Sequence, residues 1–154
     1  MRWRLIDSIL ECEPGVSAVG EKTFPSDEPL FEDHFPGYPI VPGVLQVEMI
    51  AQMAGKCAAL AMPGVLPVLG TVRSAKFYRN VRPGERCVIR AKIEKAAKAY
   101  VVATGEIEVE GRKVAAAEIL FGLVDRKLVS SESFDDVTQE FLRRRGEKLA
   151  EEMP

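Results

Sequence analysis

The chain contains one histidine, His34, so imidazole chemistry has a single address. That residue opens the run H-F-P-G-Y-P-I-V-P-G-V-L-Q-V-E-M-I-A-Q, which also holds the carboxylate Glu48 and a helix start at Pro42-Gly43-Val44. Pro42 suits the opening turn of a helix because its missing N–H would have had no partner there. The N–H groups of Gly43 and Val44 are then orphans at the positive end of the helix dipole, suited to a carbonyl oxygen that gains negative charge during reaction. Gly43 also lets a ligand come close to the backbone. Glu48 lies further along an apolar helix, where desolvation raises a carboxyl pKa and lets the group keep a proton near neutral pH. A neutral imidazole suits the opposite task of taking a proton. Base, acid and oxyanion site together fit proton removal beside a thioester or ketone carbonyl with loss of a β-hydroxyl, and this chemistry calls for no serine or cysteine nucleophile, metal or cofactor. Plainer roles stay open on spacing alone. His34 could be a structural hydrogen-bonding group, Glu48 could be paired across an interface, and Gln52 and Lys56 could satisfy buried polar groups. Met49 and Met53 read as core.

These residues need a scaffold, and the pattern around them describes one. From Gly43 to about Met62 helix formers dominate, with Leu45, Met49, Met53, Cys57 and Leu60 on one stripe and Val47, Ile50, Ala51, Ala54 and Ala58 beside it. So wide an apolar surface predicts a buried helix, on which Glu48, Gln52 and Lys56 share one polar face that must find partners. Upstream, the five prolines from Pro25 to Pro42 exclude helix interior and strand centre and predict a loop of fixed shape. Strands are predicted over residues 4–11 and 16–24, joined by the turn Glu13-Pro14-Gly15. Others are predicted over 68–79, 86–94, 100–109 and 113–125, with a tight turn at Glu110-Gly111. The fold class is therefore α+β, a buried helix against an antiparallel sheet of five to six strands. Beyond Ser130, Phe134, Val137, Phe141, Leu142 and Leu149 predict an amphipathic surface helix, with Arg143-Arg144-Arg145 on its solvated face. The organisation expected is one domain over residues 1–128 and a helical tail over 129–154.

Composition removes several classes of function. A net charge of -2 from 21 basic and 23 acidic residues lacks the basic surplus that nucleic acid requires. Cys12, Cys57 and Cys87 are far apart, odd in number and outside any zinc-binding spacing, which fits a reducing cytoplasm. Asp7 and Glu11 interrupt any signal-peptide core near the start. No segment forms an uninterrupted membrane span; Val44 to Met62 comes nearest, but Gln46, Glu48, Gln52 and Lys56 break it.

The segment F-E-D-H-F-P-G-Y-P-I-V-P-G-V-L-Q-V-E-M-I-A-Q closely resembles the signature of the (3R)-hydroxyacyl-acyl-carrier-protein dehydratases of type II fatty-acid synthesis, in their Z-type branch. Similarity continues in L-I-D-S-I-L-E-C-E-P-G, K-F-Y-R-N-V-R-P-G-E and G-R-K-V-A-A-A-E, over roughly residues 4–125, and leaves out the tail. The resemblance implies a hotdog fold, a long helix wrapped by an antiparallel sheet. It also implies dimers or trimers of dimers, with histidine and acid of one site drawn from different subunits. By position, His34 matches the catalytic histidine, Glu48 the catalytic acid, Gly43 with Val44 the carbonyl-binding helix start, and Gln52 a glutamine near the acid. The related A-type branch carries aspartate at the acid position and cysteine after the helix-start glycine, so Glu48 and Val44 favour plain dehydration.

Three positions depart from the family pattern. Asp33 stands where glycine usually precedes the histidine, and its charge would favour imidazolium and move the pH optimum upward. Asn80 replaces a usual proline and Ser8 an expected arginine, which bears on partner binding and chain-length selectivity. Lys76, Arg79 and Arg82 are candidates to dock an acidic carrier protein, with a CoA thioester as the other carrier the fold could use. A thioesterase, or a non-catalytic acyl- or partner-binding domain, are the alternative functions on this scaffold.

Overall fold

The computed structural model describes residues 3–129 and 135–152. Phe134, part of the expected tail periodicity, lies outside the described residues, as does the side chain of Leu149. In chain order come strands β1 (Ser8–Glu13) and β2 (Ser17–Thr23), a single helical turn α1 (Leu30–Asp33) and the long helix α2 (Gly43–Ala61). Strands β3 (Val65–Phe77), β4 (Arg86–Ala96), β5 (Tyr100–Val109) and β6 (Arg112–Asp125) follow, then a 3-10 turn (Arg126–Val129) and helix α3 (Asp136–Glu152). The six strands form one antiparallel sheet in the order β1-β2-β4-β5-β6-β3.

Helix α2 is buried along Met49, Ile50, Met53, Ala54 and Cys57, which meet the inward residues Ile89, Val101, Ala103, Ile107, Ile119 and Phe121 of the sheet. Two glycines let helix and sheet approach this closely. A Cβ on Gly20 of β2 would stand 2.4 Å from Met53 Sδ, and one on Gly105 of β5 would stand 2.5 Å from Ile50 Cγ2. Any side chain there would force Met53 or Ile50 out of its present place between helix and sheet.

The turns are those their residues prescribe. Val16 N–H donates to Glu13 O at 2.9 Å across Pro14-Gly15, with Gly15 at φ 76°. Glu110 and Gly111, at φ 52° and 77°, make the hairpin between β5 and β6.

Three expectations need correction. Residues 4–7 are not strand: β1 starts at Ser8, because Leu5 and Ile6 leave the sheet to bury against the core and Leu5 N–H is captured by Gln52 Oε1 at 3.0 Å. The proline-rich segment includes one helical turn, α1, since a proline at a helix start (Pro29) breaks no hydrogen bond. Strand β3 begins at Val65, ahead of the expected 68, with Pro67 inside it. Proline is tolerated because β3 is the outermost strand and leaves one edge unpaired.

Helix α3 is amphipathic. Val137 is buried in the core and Phe141 packs against it, while Arg143 pairs with Glu140 at 2.6 Å and with Glu147. Among the described residues no helix is long and apolar enough to cross a membrane.

Candidate active site

The loop that carries His34 is shaped by its own backbone. Tyr38 N–H donates to Phe35 O at 2.8 Å across Pro36-Gly37, with Gly37 at φ 74°, and Phe35 N–H returns a bond to Tyr38 O at 3.0 Å. A left-handed residue at the third position of such a turn is the reason for glycine there. His34 itself caps α1: its N–H donates to Leu30 O at 3.0 Å and its carbonyl accepts from Ile40 N–H at 3.1 Å. The imidazole is half-buried and stacks on the Phe35 ring, centroids 4.1 Å apart and planes 25° apart. Val41 N–H then donates to Val81 O at 2.7 Å, tying this loop to the segment between β3 and β4.

That contact brings in residues that spacing alone did not connect. The Arg82 guanidinium lies over the Tyr38 ring at 5.3 Å. Hydrogen bonds from Arg82 first, then Asn80, hold the Tyr38 phenol below its ordinary pKa. Asn80, the departure from a usual proline, therefore serves the rim of the His34 loop. Arg79 is committed to Glu85, with hydrogen bonds of 3.2 and 2.9 Å, whereas Lys76 is exposed. Asp33 is exposed at the end of α1, and no ion pair joins it to His34 among the described residues. Ser8 donates to Glu21 Oε1 at 2.9 Å, a contact between β1 and β2.

The loop runs straight into α2. Pro42 is the cap at φ -55° and ψ 139°, and Gly43 is the first helical residue. No side chain caps this end; Leu45 and Gln46 N–H turn back to Pro42 O, and no acceptor takes the N–H of Gly43 or Val44 among the described residues. Val44 is 77% exposed. The lack of a side chain on Gly43 serves a protein contact as well as any ligand, because a Cβ there would meet the Phe77 ring at 3.1 Å.

Glu48 lies beyond that start and has different company. Its Oε1 accepts from Trp3 Nε1 at 3.0 Å and from Gln52 Nε2 at 3.2 Å. Gln52 in turn donates to Trp3 O at 3.2 Å and accepts from Leu5 N–H. The apolar surroundings expected of Glu48 are corrected, and the partners its polar face called for are found: Glu48 is half-buried, and two donors fix its carboxylate. Trp3 was not legible as a partner, since nothing in local periodicity connects the chain start to α2.

Glu48 and Gln52 border a groove of about 600 Å³, together with Ala51, Gly55, Lys56 and Ala59 on α2 and Leu66, Pro67, Leu69 and Phe121 on the sheet. His34, Gly43 and Val44 do not line it. Among the described residues no hydrogen bond or ion pair joins His34 to Glu48. Within one chain, among the described residues, the imidazole and the carboxylate thus share neither a hydrogen bond nor this groove.

Comparison with known proteins gives this arrangement a family. Residues 11–115 match the model of the ApeI-like family, described as ApeI dehydratase. The chain is 40% identical over 124 residues to the 3-hydroxyacyl-[acyl-carrier-protein] dehydratase FabZ of Chloroflexus aggregans, covering 79% of this chain and 85% of that one. The FabZ of Acetivibrio thermocellus is 44% identical over 129 residues, covering 79% and 84%. Among solved structures, the PaaI protein of the E. coli phenylacetic acid degradation operon superposes with a TM-score of 0.61 at 17% identity, over 76% of this chain and 78% of that one. The dehydratase heterocomplex ApeI:P from Xenorhabdus doucetiae gives 0.59 at 19% identity, over 74% and 96%. These structural likenesses speak for the hotdog fold, and the sequence relatives for more: the chain belongs to the FabZ-type 3-hydroxyacyl-acyl-carrier-protein dehydratases, within the ApeI-like hotdog family.

Proposed function

We infer that the protein dehydrates (3R)-3-hydroxyacyl thioesters carried on acyl carrier protein to trans-2-enoyl thioesters, as a hydro-lyase of fatty-acid or related lipid synthesis. His34 takes the C2 proton as general base. The unclaimed N–H groups of Gly43 and Val44 hold the thioester oxygen as negative charge builds on it, a donor role worth about 2.7 to 4 kcal/mol of barrier. Glu48 gives a proton to the C3 hydroxyl, which leaves as water while the C2–C3 double bond forms. Gln52 keeps the Glu48 carboxylate in place. The observation that carries this reading is the Glu48 carboxylate, fixed by Trp3 and Gln52 at the side of a groove large enough for an acyl chain.

The reading needs two copies of the chain. It is supported by a groove that Glu48 lines without His34 and by β3, a thirteen-residue edge strand that leaves Val68, Leu69, Val72 and Phe77 exposed. An open edge of that length is a template for pairing, and antiparallel pairing with the same strand of a second copy would extend the sheet. The dimer, alone or in a trimer of dimers, would bring one chain's His34 to the other's Glu48. Of Lys76, Arg79 and Arg82, only Arg79 is in an ion pair among the described residues, so Lys76 and Arg82 are the two of these candidates to meet an acidic carrier, with Arg82 at the rim of the His34 loop. Three cysteines outside any disulfide support a cytoplasmic place of work.

Turnover tests the reading. Hydration of a crotonyl thioester, followed as loss of enoyl absorbance without release of free thiol, is expected. Thiol release without loss of the double bond would make the protein a thioesterase, and binding without turnover would make it a carrier-binding domain.

A further inference from the structure

The groove beside Glu48 does not end in apolar side chains. Its polar stripe continues from Glu48 and Gln52 to Lys56, whose side chain is 14% exposed and whose Nζ lies 2.6 Å from Asp135 Oδ2. Asp135 also accepts from Thr138 N–H at 2.9 Å, so one carboxylate caps α3 and binds the central helix. Thr138 is 1% exposed, Val137 lies in the core, and Asp136 pairs with Arg4 at 2.8 Å. The first turn of α3 is thus pinned at three points. Arg126 completes this charged end, and Asp135 and Thr138 both border the groove. The stretch from Asp135 onward lies beyond residues 11–115, the part of the chain that the family model matches.

We propose that the first turn of α3 and the Lys56–Asp135 ion pair form an end wall of the acyl groove and set the longest acyl chain the enzyme accepts. This rests on the reading of the Glu48 groove as the acyl site. From Glu48 to Lys56 the groove runs about 12 Å along α2, at about 1.5 Å rise per residue. That is room for roughly eight to ten carbons in zigzag at bond lengths of about 1.5 Å. A longer chain would have to press its methyl end against an ion pair whose lysine is largely buried and whose carboxylate is half exposed, or bend out into water. Each methylene left unburied costs about 0.8 kcal/mol, so two of them lower kcat/KM about tenfold. Along the same path Ala51 and Gly55 keep the helix side of the groove open, and a Cβ on Gly55 would still stand 3.9 Å from the Phe121 ring.

The test is kcat/KM on a series of 3-hydroxyacyl thioesters from butanoyl to hexadecanoyl, for the native protein and two variants. The native profile is expected to fall more than about tenfold once chains exceed roughly twelve carbons; a flat native profile overturns the proposal without any variant. Lys56→Met with Asp135→Asn removes both charges and keeps the cap on α3, and it should raise the long-to-short ratio about tenfold. Gly55→Leu plugs the groove midway and should shorten the longest chain accepted. If Gly55→Leu shortens the profile while the double variant leaves it unmoved, the end wall is wrong and the acyl groove stands. If neither variant moves it, the groove is not the acyl site and the underlying reading fails with the proposal.

Discussion

The imidazole and the carboxylate are held in opposite ways. His34 sits on a loop whose form comes from its own backbone bonds and from Gly37, and its ring rests on the neighbouring Phe35. Glu48 sits on a helix, and its carboxylate is fixed by donors from the far end of the chain, Trp3 and Gln52. The loop half is shaped locally and open on one side. The helix half is shaped by tertiary contacts and opens onto a groove. The contrast teaches that the two groups depend on different parts of the chain, His34 on its own loop and Glu48 on the chain start, and under the proposed function each is one half of a site that a second chain completes.

Breaking either half should have the largest effect. His34→Ala removes the base, and kcat is expected to fall by about 10² to 10⁴. Glu48→Gln keeps the shape and removes the proton, with a loss in the same range read from the same enoyl absorbance assay. The two variants should melt near the native temperature, since neither side chain belongs to the core; a large drop in Tm for either would reassign it as structural.

Two milder changes sharpen the contrast. Gly37→Ala places a Cβ where nothing lies within 4 Å but φ is 74°, so its cost is strain of about 1–2 kcal/mol confined to the loop. It should lower kcat by misplacing His34 while stability falls only by that strain. Gln52→Leu releases Glu48 and leaves the Leu5 N–H without its acceptor, so it should cost about 1–3 kcal/mol of stability as well as activity. Denaturant midpoints and kcat measured together separate the two halves: a Gln52→Leu protein of native stability would show that the helix half is not held as described.

The smallest effect concerns pH. Burial raises the pKa of Asp135, but its hydrogen bonds from Lys56 and Thr138 outweigh that and leave it below the usual carboxylate value. A carboxylate lowered on folding stabilises above its unfolded pKa, about 3.9, and that stability is lost as pH falls through the lower folded value. In acid titrations Asp135→Asn should therefore flatten the fall in Tm below about pH 4.

Much of this was legible in the residues. The alternation in residues 86–94, 100–109 and 113–125 marked three inner strands, and the breadth of apolar surface on α2 marked it as buried, because both patterns are local. The proline-glycine steps marked the loop and the helix start for the same reason. What escaped was long-range. Leu5 and Ile6 read as strand because their hydrophobicity reports burial, not the element that provides it. Trp3 and Asp135 gave no sign of reaching α2, since a partner far away in sequence leaves no periodicity behind. Glu48 looked buried in apolar surroundings because the helix around it is apolar, yet its actual neighbours come from the chain start.

The proposal that two chains share each site is tested most directly by mixing. Purified His34→Ala and Glu48→Gln proteins, each nearly inactive, are combined, unfolded and refolded together, and assayed for crotonyl-thioester hydration. If His34 of one chain works with Glu48 of another, random pairing gives mixed dimers with one intact site each, and about a quarter of native activity returns. Activity no higher than the sum of the two separate variants would contradict the account and place both groups of a site within one chain.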